Sequence, residues 1–430
     1  MYTPQRLFGE VGSSWDILSH EPFLERARLQ REQAHEGPAR LALGAYVVAR
    51  LIDKLLSIET DPAALDGFRW QLEAVRRHVE ELPVDAPETA HLAGVVAAVP
   101  AQGRPSPSLW KSLTAYAYFL EHESRLEESL EILTQAARVQ GPAVPVQDFT
   151  TYALFAGRLN RQLARWEVAS RCYGAAEEAA SKIGDPVSAL RGRLGKGAVH
   201  RGQGNFPAAR LTAESVLREA TELELTEPQA MAYADLGVIY NLQGLRLESL
   251  EAHYRAFKLT SDPVQRMRPL GDLALGLHEI GAYDAARLAF QIVADSNASV
   301  EVRANAFLEL MDLESSTGNR VAFERHRGAA EGYRARMSPR MSVDYYYKVA
   351  VGLARFGQAG RARSSFDSGL QLAELHQLND LYFKIERAIR ELAERSYEDS
   401  NHQPASELSE ASVVREMEVG LREYALAIAP

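Results

Sequence analysis

The chain has 430 residues, 46% of them hydrophobic and 25% charged, with a formal net charge of -10. These are globular values, and the abundance of Ala, Leu, Arg and Glu, all good helix formers, points to an all-α protein. The acidic balance repels a phosphate backbone, and no apolar run approaches the roughly 20 residues that span a bilayer, so nucleic-acid binding and membrane insertion are set aside.

The opening MYTPQRLFGEVGSSW lacks a basic segment followed by an apolar one, and the lone Cys172 has no intramolecular disulfide partner, so a cytoplasmic protein is expected. Residues 20 to 99 read as four amphipathic helices. They carry Phe23 to Ala34; then Leu41, Ala45, Val48, Ile52 and Leu55; then Leu65, Phe68, Leu72, Val75 and Val79; and last Leu92, Val95, Val96 and Val99. Gly37-Pro38, Asp61-Pro62 and the stretch from Pro83 to Pro87 break them. Residues 1-105 are thus expected to form an N-terminal helical bundle or degenerate repeats, closed by a linker at Pro100–Ser108.

Residues 106-397 repeat. In MAYADLGVIYNLQGLRLESLEAHYRAFKL, residues 231-259, a first helix carries Tyr233, Leu236, Gly237 and Tyr240, Gly244 makes a turn, and a second helix carries Leu250, His253 and Ala256. The same phase gives Gly157, Ala169, Tyr173 and Ala176; Gly197, Gly204, Ala209, Ala213 and Val216; Leu273, Ala274, Leu277, Gly281, Ala286, Phe290 and Val293; and Ala350, Leu353, Gly357, Ala362, Phe366 and Gly369. Weaker copies start near Trp110 and Ala304, the latter with Met311 and Phe323 where small residues are expected. Repeat starts near 110, 150, 190, 230, 267, 304 and 343 are 37 to 40 residues apart. Small residues recur because two helices cross there at close range, and aromatics fill the space beside them.

These units resemble the tetratricopeptide repeat, in a long-helix form of about 40 residues rather than the minimal 34 or so. The resemblance implies a right-handed superhelical solenoid whose first helices line the concave face, exposing the second, fifth, ninth, twelfth and thirteenth position of each unit. Those positions give Arg158, Arg161, Arg191, Arg201, Asn241, Arg268 and His278. Guanidinium forks and an amide along a groove suit an acidic or C-terminal-carboxylate ligand and the backbone of an extended peptide. The layout of a helical segment of about 100 residues followed by seven repeats is also similar to that of Rap-like, peptide-regulated receptors of Gram-positive bacteria.

Leu381, Ile385, Ala388, Ile389 and Leu392 mark a helix that caps the array. The acidic stretch Glu398–Ser412 is expected to be flexible, and Val413, Val414, Met417, Leu421, Tyr424 and Ile428 then share one face of a last amphipathic helix. Residues 398-430 carry seven acids against two arginines, which makes this tail a candidate occupant of the groove. Pairing between chains through terminal helices stays open.

No short motif for nucleotide, zinc, redox or acyl-transfer chemistry occurs. The E-x-x-H pairs Glu32/His35 and Glu88/His91 have the spacing of di-iron bundles, with Glu73 or Glu80 as further ligands, but lie near helix ends in a chain with 11 histidines and are read as coincidence. The glycines of Gly192–Gly204 fall on small repeat positions with no strand before them, so helix packing is preferred to phosphate binding. A non-enzymatic scaffold or adaptor with a protein or peptide partner, and no cofactor or metal, is therefore expected. A peptide-responsive receptor controlling a transcription or signalling partner is the alternative, and a metal enzyme the weakest reading.

Overall fold

The computed structural model describes residues 20-32, 36-58, 62-123, 125-140, 145-393 and 407-428. Among them are twenty α-helices and no strand, so the chain is all-α. Packing divides it into two compact units, residues 1-204 and 205-430. The change of pattern near residue 105 lies inside the first.

The first unit opens with the four expected helices, α1 (Glu21–Glu32), α2 (Glu36–Ser57), α3 (Pro62–Glu80) and α4 (Pro87–Ala98). Gly37-Pro38 does not separate two helices, because a proline in the first turn of α2 costs no intrahelical hydrogen bond. Nor is Pro100–Ser108 a free linker. Gly103 is buried with φ +70°, a Cβ on it would meet Leu65, and Arg69 donates to the Ala101 carbonyl at 3.2 Å. Two helical hairpins follow, α5 (Pro107–His122) with α6 (Leu126–Gln140) and α7 (Val146–Gln162) with α8 (Trp166–Lys182); α9 (Pro186–Gly202) packs on α8 and α7. One apolar cluster runs through this unit from Phe23 to Ala179.

In the second unit α10 (Phe206–Glu222) pairs with α11 (Thr226–Leu242), which forms a hairpin with α12 (Arg246–Leu259). Three more hairpins are α13 (Met267–Glu279) with α14 (Tyr283–Asp295), α15 (Val300–Ser316) with α16 (Arg320–Glu331), and α17 (Pro339–Arg355) with α18 (Ala359–Leu375). The capping helix is α19 (Asn379–Ala393), on α17 and α18, and the last is α20 (Ser412–Ile428). No described helix is long and apolar enough to cross a membrane. Most of the acidic stretch before α20 lies outside the described residues.

Local signals account for the helix ends. Asp185, Asn205, Ser299, Asn319 and Ser338 each accept a backbone N–H three residues on, and Pro186, Pro207 and Pro339 occupy first turns. Helices α7 to α11 are each 17 residues long and start 20 residues apart. The turns between them hold a left-handed residue at Ala164, Gly184, Gly204 and Glu224, and a fifth lies at Gly244. The sixth expected repeat departs as its Met311 and Phe323 suggested: α16 has 12 residues and is followed by a 3-10 turn at Arg334–Arg336.

The large-small pattern is a matter of fit. A Cβ on Gly195 would stand 2.2 Å, and one on Gly157 2.9 Å, from the Tyr173 ring, so α7 and α9 reach α8 only because both are glycine there. Cys172 beside it is fully buried, and burial pushes its thiol up to about 12, which leaves it a packing residue.

Candidate functional site

In each hairpin the first helix is termed A and the second B. In the second unit the A helices are consecutive neighbours, α13 with α15, α15 with α17 and α17 with α19. A ladder of polar side chains links them. The His278 ring on α13 meets the Ser316 hydroxyl on α15 at 3.3 Å. Arg355 on α17 donates to Asp312 and to the Ser315 hydroxyl on α15, each at 2.7 Å. Lys348 on α17 pairs with Glu309 on α15 and, at 3.2 Å, with Asp344 one turn back. Lys384 on α19 lies 3.8 Å from Asp344 and 4.0 Å from the centre of the Tyr347 ring.

The electrostatics of the ladder follow from burial set against neighbours. Burial would raise the Asp312 carboxyl, but Arg355 and Lys348 overcome it and hold it low. At Glu309 burial wins over Lys348, and the carboxyl sits above its ordinary range. Burial pushes the His278 imidazole down, leaving it neutral near pH 7.

Asp272 on α13 differs from all of these. It makes no hydrogen bond or ion pair among the described residues; burial pushes its carboxyl up to about 6, with Arg268 pulling the other way. Its side chain is half-buried, so a ligand can reach it. Asn305 on α15, at the second position of the unit that starts near 304, likewise carries an amide with no hydrogen bond among the described residues. Helices α13 and α15 thus carry a carboxylate and an amide that make no hydrogen bond among the described residues, in addition to the paired groups of both signs in the ladder.

The seven residues picked from the sequence fall in two sets. Arg158 and Arg161 lie on α7 and Arg191 and Arg201 on α9, in the first unit, while Asn241 on α11 and Arg268 and His278 on α13 belong to the second. Arg158 is not open for a ligand carboxylate: two of its guanidinium nitrogens donate to Glu121 at 2.7 and 2.8 Å, above the stacked Tyr118 and Phe155 rings. Arg161 has a buried Nε with no hydrogen-bond partner among the described residues, Arg191 is exposed and Arg201 half-buried. The Asn241 amide oxygen accepts from Arg246, which also reaches Glu279. The tail helix does not lie on this face, since α20 packs on the B helices α12 and α14.

Two further units, beyond those that supply the seven residues, carry the ladder. The same positions in the sixth and seventh units give Asn305 and six residues of the ladder, Asp312, Ser315, Ser316, Asp344, Tyr347 and Arg355. Asp272, Glu309 and Lys348 sit at the sixth position, which the repeat pattern does not count as exposed.

The Glu88/His91 pair, read from the sequence as coincidence, has other partners. Glu88 accepts from Tyr116 at 2.7 Å, Arg125 at 2.8 Å and Arg26 at 3.2 Å, while His91 stacks on Phe119 at 4.6 Å. His35 of the other pair lies outside the described residues, and among those described no group of three or more His, Cys, Asp or Glu could hold a metal ion.

No protein-family model matches the chain, and no curated protein matches it in sequence. Among solved structures it is similar to the apo form of the quorum sensor NprR from B. thuringiensis, at 13% identity and a TM-score of 0.47 over 82% of this chain and 97% of that one. It is also similar to the Rap conjugation gene regulator of plasmid pLS20 in complex with the Phr* peptide, at 12% identity and 0.45 over 82% and 97%, and to the apo form of RapI, at 11% and 0.44 over 62% and 98%.

Proposed function

We propose that the chain is a non-enzymatic binding protein that holds an extended peptide, free or as a segment of a partner protein, on the A-helix face of α13, α15 and α17. The observation that carries this reading is Asp272, a reachable carboxylate with no hydrogen bond among the described residues, on the helix that also carries the neutral His278. A buried acid without a partner costs stability, and a ligand cation removes that cost. The ligand favoured by this chemistry is cationic near one end, with a backbone that takes amide hydrogen bonds.

Calorimetry with short peptides tests it. A cationic peptide should bind at pH 7.5 and weaken as pH falls through about 6, where Asp272 takes up its proton. Asp272→Asn should cost about tenfold in affinity, the worth of a charge-assisted hydrogen bond. Equal binding by the variant, or a preference for acidic peptides, sinks the reading. A peptide-responsive regulator is the second reading, favoured by the division into two compact units, one of which can hold the peptide while the other meets a regulated partner. Capture of that partner should then change when peptide is added.

A further inference from the structure

The tail helix is seated on particular residues. Val414, Met417 and Leu421 of α20 are buried in the apolar cluster of α12 to α15. Gly420, in mid-helix, faces Tyr254 of α12 so closely that a Cβ on it would stand 2.0 Å from the Tyr254 hydroxyl oxygen. Glycine weakens a helix interior relative to alanine, so α20 carries a residue unfavourable to its own helix where the docked position needs the space.

One turn on, the Tyr424 ring meets Phe257 of α12 edge-to-face at 5.1 Å, and the Arg266 guanidinium lies 5.6 Å from Tyr424 and 5.9 Å from Phe257. Arg266 is the residue just before α13, and its Nε donates to the carbonyl of Thr260, just after α12, at 2.6 Å. The connection between α12 and α13 is therefore gripped by α20, and α13 is the helix that brings Arg268, Asp272 and His278 to the A face. The seat is shallow: Val419, Leu426 and Ile428 of α20 stay exposed. A helix held by so few buried side chains opens at lower free energy than the repeats beneath it.

We propose that α20 is a strap acting in cis, which docks on α12 and α14 through Gly420 and Tyr424, fixes the α12–α13 connection, and frees α13 when it lifts. The strip it covers is a site for an amphipathic helix whose apolar residue, notch and aromatic ring are spaced as Met417, Gly420 and Tyr424 are. Any change in peptide affinity when α13 is freed rests on the peptide-binding reading. The strap itself does not.

Hydrogen exchange on the full chain tests it without a ligand. Gly420→Leu and Tyr424→Ala should each speed exchange in α12, α14 and the first turn of α13 by about tenfold, while α5 to α8 keep their rates. Unchanged rates in α12 and α14 overturn the docking, and faster rates there with α13 unchanged overturn the coupling. Should the leucine variant fail to fold, Gly420→Ala combined with Tyr254→Phe still decides, because the second change removes the hydroxyl that the new Cβ meets and should restore the protection lost in Gly420→Ala alone. A dimer in light scattering whose α12 protection falls on dilution places α20 on a second copy and overturns the cis assignment. Peptide affinity indifferent to Asp272→Asn, with exchange behaving as expected, would refute the peptide face and leave the strap standing.

Discussion

Each unit contains a buried cluster of charges, and the two are built differently. In the first, Glu88 of α4 and Glu128 of α6 share Arg26 of α1 and Arg125, with the Tyr116 hydroxyl closing the set, and nearby His20 is fully buried between Asp53 and Glu131 at 2.9 Å from each. Every charge there has its complement, and apart from Arg125 with Glu128 the partners are far apart in the chain, so the cluster clamps α1 onto α4 and α6. In the second unit the pairs line one helix face and join each A helix to the next, and Asp272 is left over. Full pairing makes a fastener; incomplete pairing beside a reachable surface makes a place for something else.

The largest test of this contrast is Glu88→Ala. Removing it leaves Arg26 and Arg125 with Glu128 alone and takes the acceptor from the buried Tyr116 hydroxyl, and urea unfolding should show a loss of about 3 kcal/mol. The pH dependence has a definite sign. Burial would raise the Glu88 carboxyl, yet Arg125 and Arg26 hold it at about 2 against an ordinary 4.5, so its contribution is complete above pH 4.5 and lost as pH falls towards 2. Glu88→Gln should flatten that part of the stability profile.

Asp272→Asn should act in the opposite sense. Its carboxyl is raised to about 6 from an ordinary 3.8, so the folded state is favoured below pH 3.8 and that advantage is lost as pH rises through 6. Above pH 6 the asparagine variant should be the more stable, by on the order of 1 kcal/mol, and below pH 3.8 the two should match. A destabilised variant at pH 7.5 would mean that Asp272 is a fastener too.

Arg158→Ala should do least. Its ion pair with Glu121 is 41% exposed on the arginine side, and such pairs are worth about 1 kcal/mol or less. Binding of a cationic peptide to the second unit should be unchanged. A large loss of binding would return the site to the arginines of the first unit.

The repeats were legible because glycine-aromatic fits recur at fixed spacing, and the caps and turns follow local chemistry. The four N-terminal helices were legible from apolar periodicity alone. What the sequence hid was pairing: Arg158 and Glu121 are 37 residues apart, and nothing in either neighbourhood marks them as partners. Asp272 was hidden for the same reason, since its lack of a partner is a property of the folded neighbourhood. The seat of α20 was half visible, as an apolar face in search of a surface, but Gly420 reads as an ordinary helix blemish until Tyr254 is placed against it.

The left-handed residues at 164, 184, 204, 224 and 244 recur every 20 residues, half the length of a repeat. Turn chemistry in this stretch thus treats every helix alike, and only the side on which small residues fall distinguishes one kind from the other. A duplication of 20 residues would keep every turn intact yet give each later helix the place of the other member of its hairpin. Genetic growth or loss in this part of the array is silent only in whole steps of 40, which makes parity a constraint on how such a protein can lengthen.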